Sequence, residues 1–160
     1  MIRLLIDALV LLILLVIQLS LVQSLPFPLD QTPVVLVWAV YAYQYKGDAH
    51  ALWVLPFYGL ILDTLSLSYA PASWLHWSLA ALVIYALGQH VFTNRSFYSM
   101  AATALAALSM LTLSQIILVG LFGILRFQQI PWIDVALSQL WPTILGTALL
   151  MFVAPWMRRA

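Results

Sequence analysis

The chain contains no cysteine and no glutamate, and only five aspartates and six lysines or arginines carry charge along its 160 residues. Without cysteine there is no disulfide framework, no thiolate metal site and no thiol nucleophile. Charged residues make up 7% of the chain, against about 25% in a soluble domain. So few charges cannot cover the outside of a water-soluble ball, which excludes a cytoplasmic globular enzyme and a disordered tail. A net charge of +1 leaves no basic face for nucleic acid. What fills the chain instead is apolar: 65% hydrophobic residues and a mean hydropathy of +1.05. Lipid is the solvent that tolerates so much apolar surface, so the composition predicts a polytopic membrane protein.

The apolar runs are continuous and lack the two-residue alternation of a barrel strand, which points to helices and an all-α fold. Six segments qualify, at about residues 4–25, 34–45, 49–68, 72–92, 97–125 and 135–157, within a single transmembrane domain. Pro26 and Pro28 close the first. That run is too long for the core of a secretory signal and no small-x-small cleavage site follows, so it is expected to be retained. The second opens on Pro33, suited to a helix's first turn, and is short enough for a re-entrant or thinly spanning helix. The fifth exceeds what a bilayer needs and is expected to tilt or break at Gly120 or Gly123. With six spans and a cytoplasmic N-terminus, Arg3, Lys46, Arg95, Arg158 and Arg159 fall inside and only Arg126 outside. Trp74, Trp77 and Trp132 then mark the outer boundary and Trp156 the inner one.

Chemistry-bearing residues are sparse. Asp63 lies late in the third run, and an acid in mid-bilayer costs about 2.5–3.5 kcal/mol, so it should face protein or water. It is either an internal or ligand contact, or a carboxylate near the headgroups held by Thr64 or Ser66. Asp7 complements a helix dipole, and Asp30, Asp48 and Asp134 suit caps. His50, His76 and His90 fall on different helices or ends without ligand spacing, which argues for interfacial histidines and against a metal site. There is no G-x-S-x-G motif and the glycines are scattered, so no enzyme, cofactor or metal is expected. On the fifth helix Ser99, Ala102, Thr103, Ala106 and Ala107 share a face of small residues. Such a face admits a close neighbour, either another helix of this chain or a partner's transmembrane helix, with Gln115 able to bond across it. The aromatic residues Trp38, Tyr41, Tyr43 and Tyr45 suit interfacial packing.

The order of these features resembles the MreD family of rod shape-determining membrane proteins. Pro26-Phe27-Pro28 closes the first helix, and Pro33 opens the short aromatic second one. A G-x-x-x-D-x-x-S element stands at Gly59, Asp63 and Ser66, Trp141-Pro142 lies in the last helix, and Arg158-Arg159 forms a basic tail. Leu67-Ser68-Tyr69-Ala70-Pro71 departs from the family, which places a glycine and a Leu-Gly turn there. The resemblance implies a non-enzymatic scaffold subunit in the bacterial cytoplasmic (inner) membrane with both termini cytoplasmic. It further implies a fold like the substrate-binding subunits of energy-coupling-factor transporters and a bitopic MreC partner. Through the complex it implies contact with MreB, RodA and a class B penicillin-binding transpeptidase. Gly59, Asp63 and Ser66 would then be structural or partner-contacting residues. The alternative is a transporter subunit binding a small vitamin with Asp63, Trp74, His76 and Trp77.

Overall fold

A computed structural model describes residues 2–27, 29–65, 72–91, 96–126, 141–149 and 152. Among them every regular element is helical: α1 (Ile2–Val16), α2 (Val34–Gln44), α3 (Val54–Leu65), α4 (Ser73–His90), α5 (Phe97–Arg126) and α6 (residues 141–149). A π-helical turn, Ile17–Val22, continues α1 toward Pro26, and a short turn at Leu29–Gln31 leads into α2. A 3-10 turn, Ala49–Trp53, precedes α3. Pro56 is therefore in the first turn of α3, where its missing N–H removes no helical bond.

The shortest of the five helices α1–α5 lies at the centre. Val35, Leu36, Val37, Ala39, Val40, Ala42, Tyr43 and Gln44 are all buried, so α2 is enclosed around its circumference, as an apolar-all-round helix demands. Leu55 and Tyr58 from α3, Ala80 and Ile84 from α4, and Ala104, Leu108 and Leu111 from α5 complete the core. The chain then reverses at Gly47, whose φ of 72° is a conformation side chains disfavour. Asp48 caps the next turn by accepting the His50 N–H at 3.1 Å. Asp30 does not act this way: its Oδ1 is buried without a hydrogen bond.

The helix α5 runs unbroken through Gly120 and Gly123, so the expected interruption is not there. Its small face turns inward, against α4 and α2 of the same chain. Ser99, Thr103 and Ala107 are buried, joined by Ala104, whereas Ala102 and Ala106 lie half-buried at the margin of the contact. A buried polar pair fixes that contact. The Gln44 amide donates to Thr103 Oγ1 at 2.5 Å, and the Thr103 hydroxyl donates to the Ser99 carbonyl at 2.9 Å. Where α2 meets α4, the Tyr43 ring lies against Gly88, and a Cβ there would collide with it. Its hydroxyl donates to the Tyr85 carbonyl at 3.3 Å.

One segment among the described residues, Tyr98–Leu118, is long and apolar enough to cross a membrane, with a mean hydropathy of 1.8. Ala8–Val22, Val34–Gln44 and Ala49–Leu65 are shorter apolar helices.

Candidate functional site

Two helices begin without a capping side chain of their own. The residue before α2 is Pro33 and the residue before α4 is Ala72, and neither offers an acceptor to the free N–H groups that open a helix. In both cases an earlier helix supplies one.

For α4 the donor helix is α3. The Asp63 carboxylate accepts the Ser73 N–H at 3.0 Å through Oδ1 and the Trp74 N–H at 2.9 Å through Oδ2. Charge-assisted bonds of this kind are stronger than neutral ones, and an anion also suits the positive end of the helix dipole. One turn earlier, Gly59 lets the backbones close. A Cβ there would sit 2.7 Å from the Ser73 carbonyl oxygen and 2.9 Å from Trp74 Cα. The neighbouring Tyr58 ring meets Trp77 edge to face at 4.9 Å. The G-x-x-x-D spacing thus has a local reason: a glycine admits the first turn of α4 and an aspartate, on the same face of α3, ties it down. Ser66, the third residue of that element, lies outside the described residues.

For α2 the donor is the π-helical turn after α1. Gln18, buried there, accepts the Val34 N–H through Oε1 at 3.2 Å and donates to the Thr32 carbonyl at 3.0 Å. Local π turns inside α-helices displace side chains from the regular register and recur at functional sites.

Beside this second junction the bundle is open. A cavity of about 320 Å³ is bounded by Gln18, Gln31 and Gln115, with Tyr58 and Trp77 forming an aromatic wall. Thr112 and Thr143 add hydroxyls to its lining, Pro33 and Pro142 add ring carbons, and Leu108 and Leu111 add apolar surface from α5. Among the described residues that line it, none is a carboxylate, ammonium, guanidinium or imidazole. Gln31 and Gln115 each have a side-chain oxygen that is buried without a hydrogen-bond partner. Gln115 thus lines the cavity, and its side-chain oxygen accepts no hydrogen bond across the helix contact.

The remaining candidates are dispersed. His76 is buried rather than interfacial, with its Nδ1 2.8 Å from the Ser114 hydroxyl, while His50 and His90 are exposed. Of the four residues grouped for a vitamin pocket, only Trp77 reaches the 320 Å³ cavity. Trp74 instead borders a separate apolar groove of about 440 Å³ with Trp53, Pro56 and Leu82. Trp141 meets Phe27 edge to face at 5.7 Å, and its neighbour Pro142 lines the polar cavity. Gly146 brings α6 close to Leu108 and Pro33, either of which a Cβ would approach within 2.9 Å. Tyr41 and Tyr45 stack at 5.2 Å, with the Lys46 ammonium 5.8 Å from the Tyr41 ring. Asp134, Trp132, Trp156, Arg95, Arg158 and Arg159 lie outside the described residues. Compared with known proteins, the chain matches no family model, no curated protein and no solved structure.

Proposed function

We propose that this chain is a multi-pass helical membrane protein working as a non-enzymatic scaffold of the MreD type, in the complex that elongates the bacterial cell wall. It gathers a bitopic MreC-like partner and, through it, MreB, RodA and a class B transpeptidase. The observation that carries the membrane part is where large apolar side chains point. Leu9 on α1 is 59% exposed, Leu82 on α4 62% and Leu113 on α5 53%, with Phe57, Leu60, Leu105, Ile117 and Leu121 also outward. A water-soluble monomer does not spread that much apolar surface over its outer helices, whereas a lipid environment or neighbouring helices cover it without cost.

The scaffold part rests on what the family-like residues do. Gly59 and Asp63 both act at the junction of α3 and α4, holding backbone against backbone. The element that carries the resemblance is thereby committed to architecture, and the outward surface left for action is apolar. Helix association in lipid proceeds by such close packing.

Affinity purification of the tagged full chain from bacterial membranes in mild detergent tests the reading. Recovery of an MreC-like bitopic protein is the expected result; a chain recovered alone, together with normal cell shape in a separate strain that lacks it, overturns the scaffold. Single-cysteine labelling tests the topology independently, since the chain has no cysteine of its own. Lys46→Cys and Arg95→Cys should react only from the cytoplasmic side, and labelling from outside overturns the six-span arrangement.

A further inference from the structure

We infer that the polar cavity is an aqueous vestibule, entered from the outer face of the membrane and closed near mid-depth, which admits water and small water-soluble molecules in place of lipid tails. The inference rests on the membrane reading above, and depth carries it. The candidate span Tyr98–Leu118 has Leu108 at its midpoint. A Cβ on Gly146 would lie 2.9 Å from both the Leu108 side chain and the Pro33 ring, so α2 begins close to the middle of that span. From there α2, eleven residues long and so about 16 Å in length, runs inward, its far end tied to Thr103 through Gln44. The chain reaches mid-depth through a 3-10 turn at Leu29–Gln31 and then Thr32 and Pro33, which belong to no helix. Backbone of this kind is tolerated at membrane depth where it is buried in protein or lines a water-filled cavity. None of Leu29, Asp30, Gln31 and Thr32 is fully buried, and Gln31 lines the cavity, so the second condition is the one met.

The α5 residues of the wall all lie from the midpoint toward the outer end of the span: Leu108, Leu111, Thr112 and Gln115. The His76 ring meets Ser114 at 2.8 Å, which sets the first turns of α4 at the same outer level. A wall that includes hydroxyl and amide side chains is wetted by water, whereas lipid tails would strip those groups of partners. At about 320 Å³ the space far exceeds what one water needs. Inward of Pro33 and Leu108 the bundle is packed, with Leu36, Val40, Ala104 and Ala107 wholly buried, so the way in lies on the outer side.

Thr112 and Leu113 test this at a single depth. They are neighbours on α5 that face different ways: Thr112 lines the cavity, and Leu113 is 53% exposed on the outer surface of the bundle. The chain has no cysteine, so Thr112→Cys and Leu113→Cys can be made singly and the full chain labelled in sealed bacterial membrane vesicles. The probe is a membrane-impermeant methanethiosulfonate bearing a trimethylammonium group. Thr112→Cys should react from the outer side. Leu113→Cys should react at least about a hundredfold more slowly, because a thiol in hydrocarbon stays protonated and the thiolate is what attacks. Thr143→Cys, on α6, should behave like Thr112→Cys and replaces it if that variant does not accumulate. If neither cavity cysteine reacts and Leu113→Cys is also silent, the vestibule is refuted while the membrane reading stands. Reaction of the cavity cysteines from the cytoplasmic side alone refutes the outer entrance. Equal rates at positions 112 and 113 would mean that water reaches the outside of α5, which refutes the membrane reading and the vestibule with it.

Discussion

The starts of α4 and α2 solve one problem in two ways. Each helix lacks its own cap, and each borrows a side chain from an earlier helical element. At α4 the lender is an aspartate, which accepts two backbone N–H groups at once and lies one turn from a glycine that removes all spacing. The junction is closed. At α2 the lender is a glutamine, which accepts one N–H and must place its own donor elsewhere. An amide satisfies less of the helix end than a carboxylate and brings a polar group of its own to satisfy. That second junction is the one that opens onto a polar cavity. The charge of the borrowed group thus separates a seam from a site.

Breaking the seam should have the largest effect. Gly59→Leu places a side chain against the Ser73 carbonyl and the Trp74 backbone, which have no flexible end to yield. A loss of about 3 kcal/mol is expected, read as a large drop in the thermal unfolding midpoint in detergent. A variant that melts like wild type would mean that α3 and α4 are not in close contact.

Asp63→Leu comes next. It strips the Ser73 and Trp74 N–H groups of their acceptor and should cost about 2 kcal/mol. Asp63→Asn keeps one acceptor oxygen and should recover roughly half of that loss. An asparagine variant as stable as wild type would mean that the charge is irrelevant, and the contrast between the two junctions would collapse.

Gln18→Leu should have the smallest effect, about 1 kcal/mol for a neutral cap. Hydrogen exchange at the first turn of α2 should speed up while that of α4 is unchanged. Acceleration at both helix starts would show that the two junctions are coupled, not separate.

The helical class and the edges of the core helices were legible because apolar runs bounded by proline leave few alternatives. The run at 34–45 corresponds to α2 over Val34–Gln44, and that at 72–92 to α4 over Ser73–His90. Its brevity suggested a thin or re-entrant span for α2, whereas the structure encloses it on all sides, which a single helix's composition does not reveal. Asp63 was legible as an acid needing a partner, but its partners are backbone N–H groups, which every residue owns, so no side-chain pattern announces them. The sequence also offered Thr64 and Ser66 as its neighbours; the Thr64 hydroxyl instead donates to the Ile61 carbonyl. His76 was misplaced because its partner, Ser114, lies 38 positions away. The cavity was the least visible feature. Gln18, Gln31 and Gln115 come from three separate segments, with no shared spacing to mark them as a group. Ala102 and Ala106 show the converse limit: helical spacing identified a small face correctly in kind but set its centre away from Ala104, since one helix's periodicity fixes a stripe but not what it faces.

The borrowed carboxylate also constrains how the molecule is made. Asp63 emerges from the ribosome before Ser73 and Trp74, and if α3 and α4 enter a bilayer, as the proposed membrane reading has it, α3 settling into lipid by itself would strand an anion. The two helices should leave the insertion machinery together as a hairpin, the acid already shielded by the turn that follows it. Biogenesis would then have a pairwise step built into its order, and a ribosome stalled between residues 63 and 73 would hold a segment reluctant to partition.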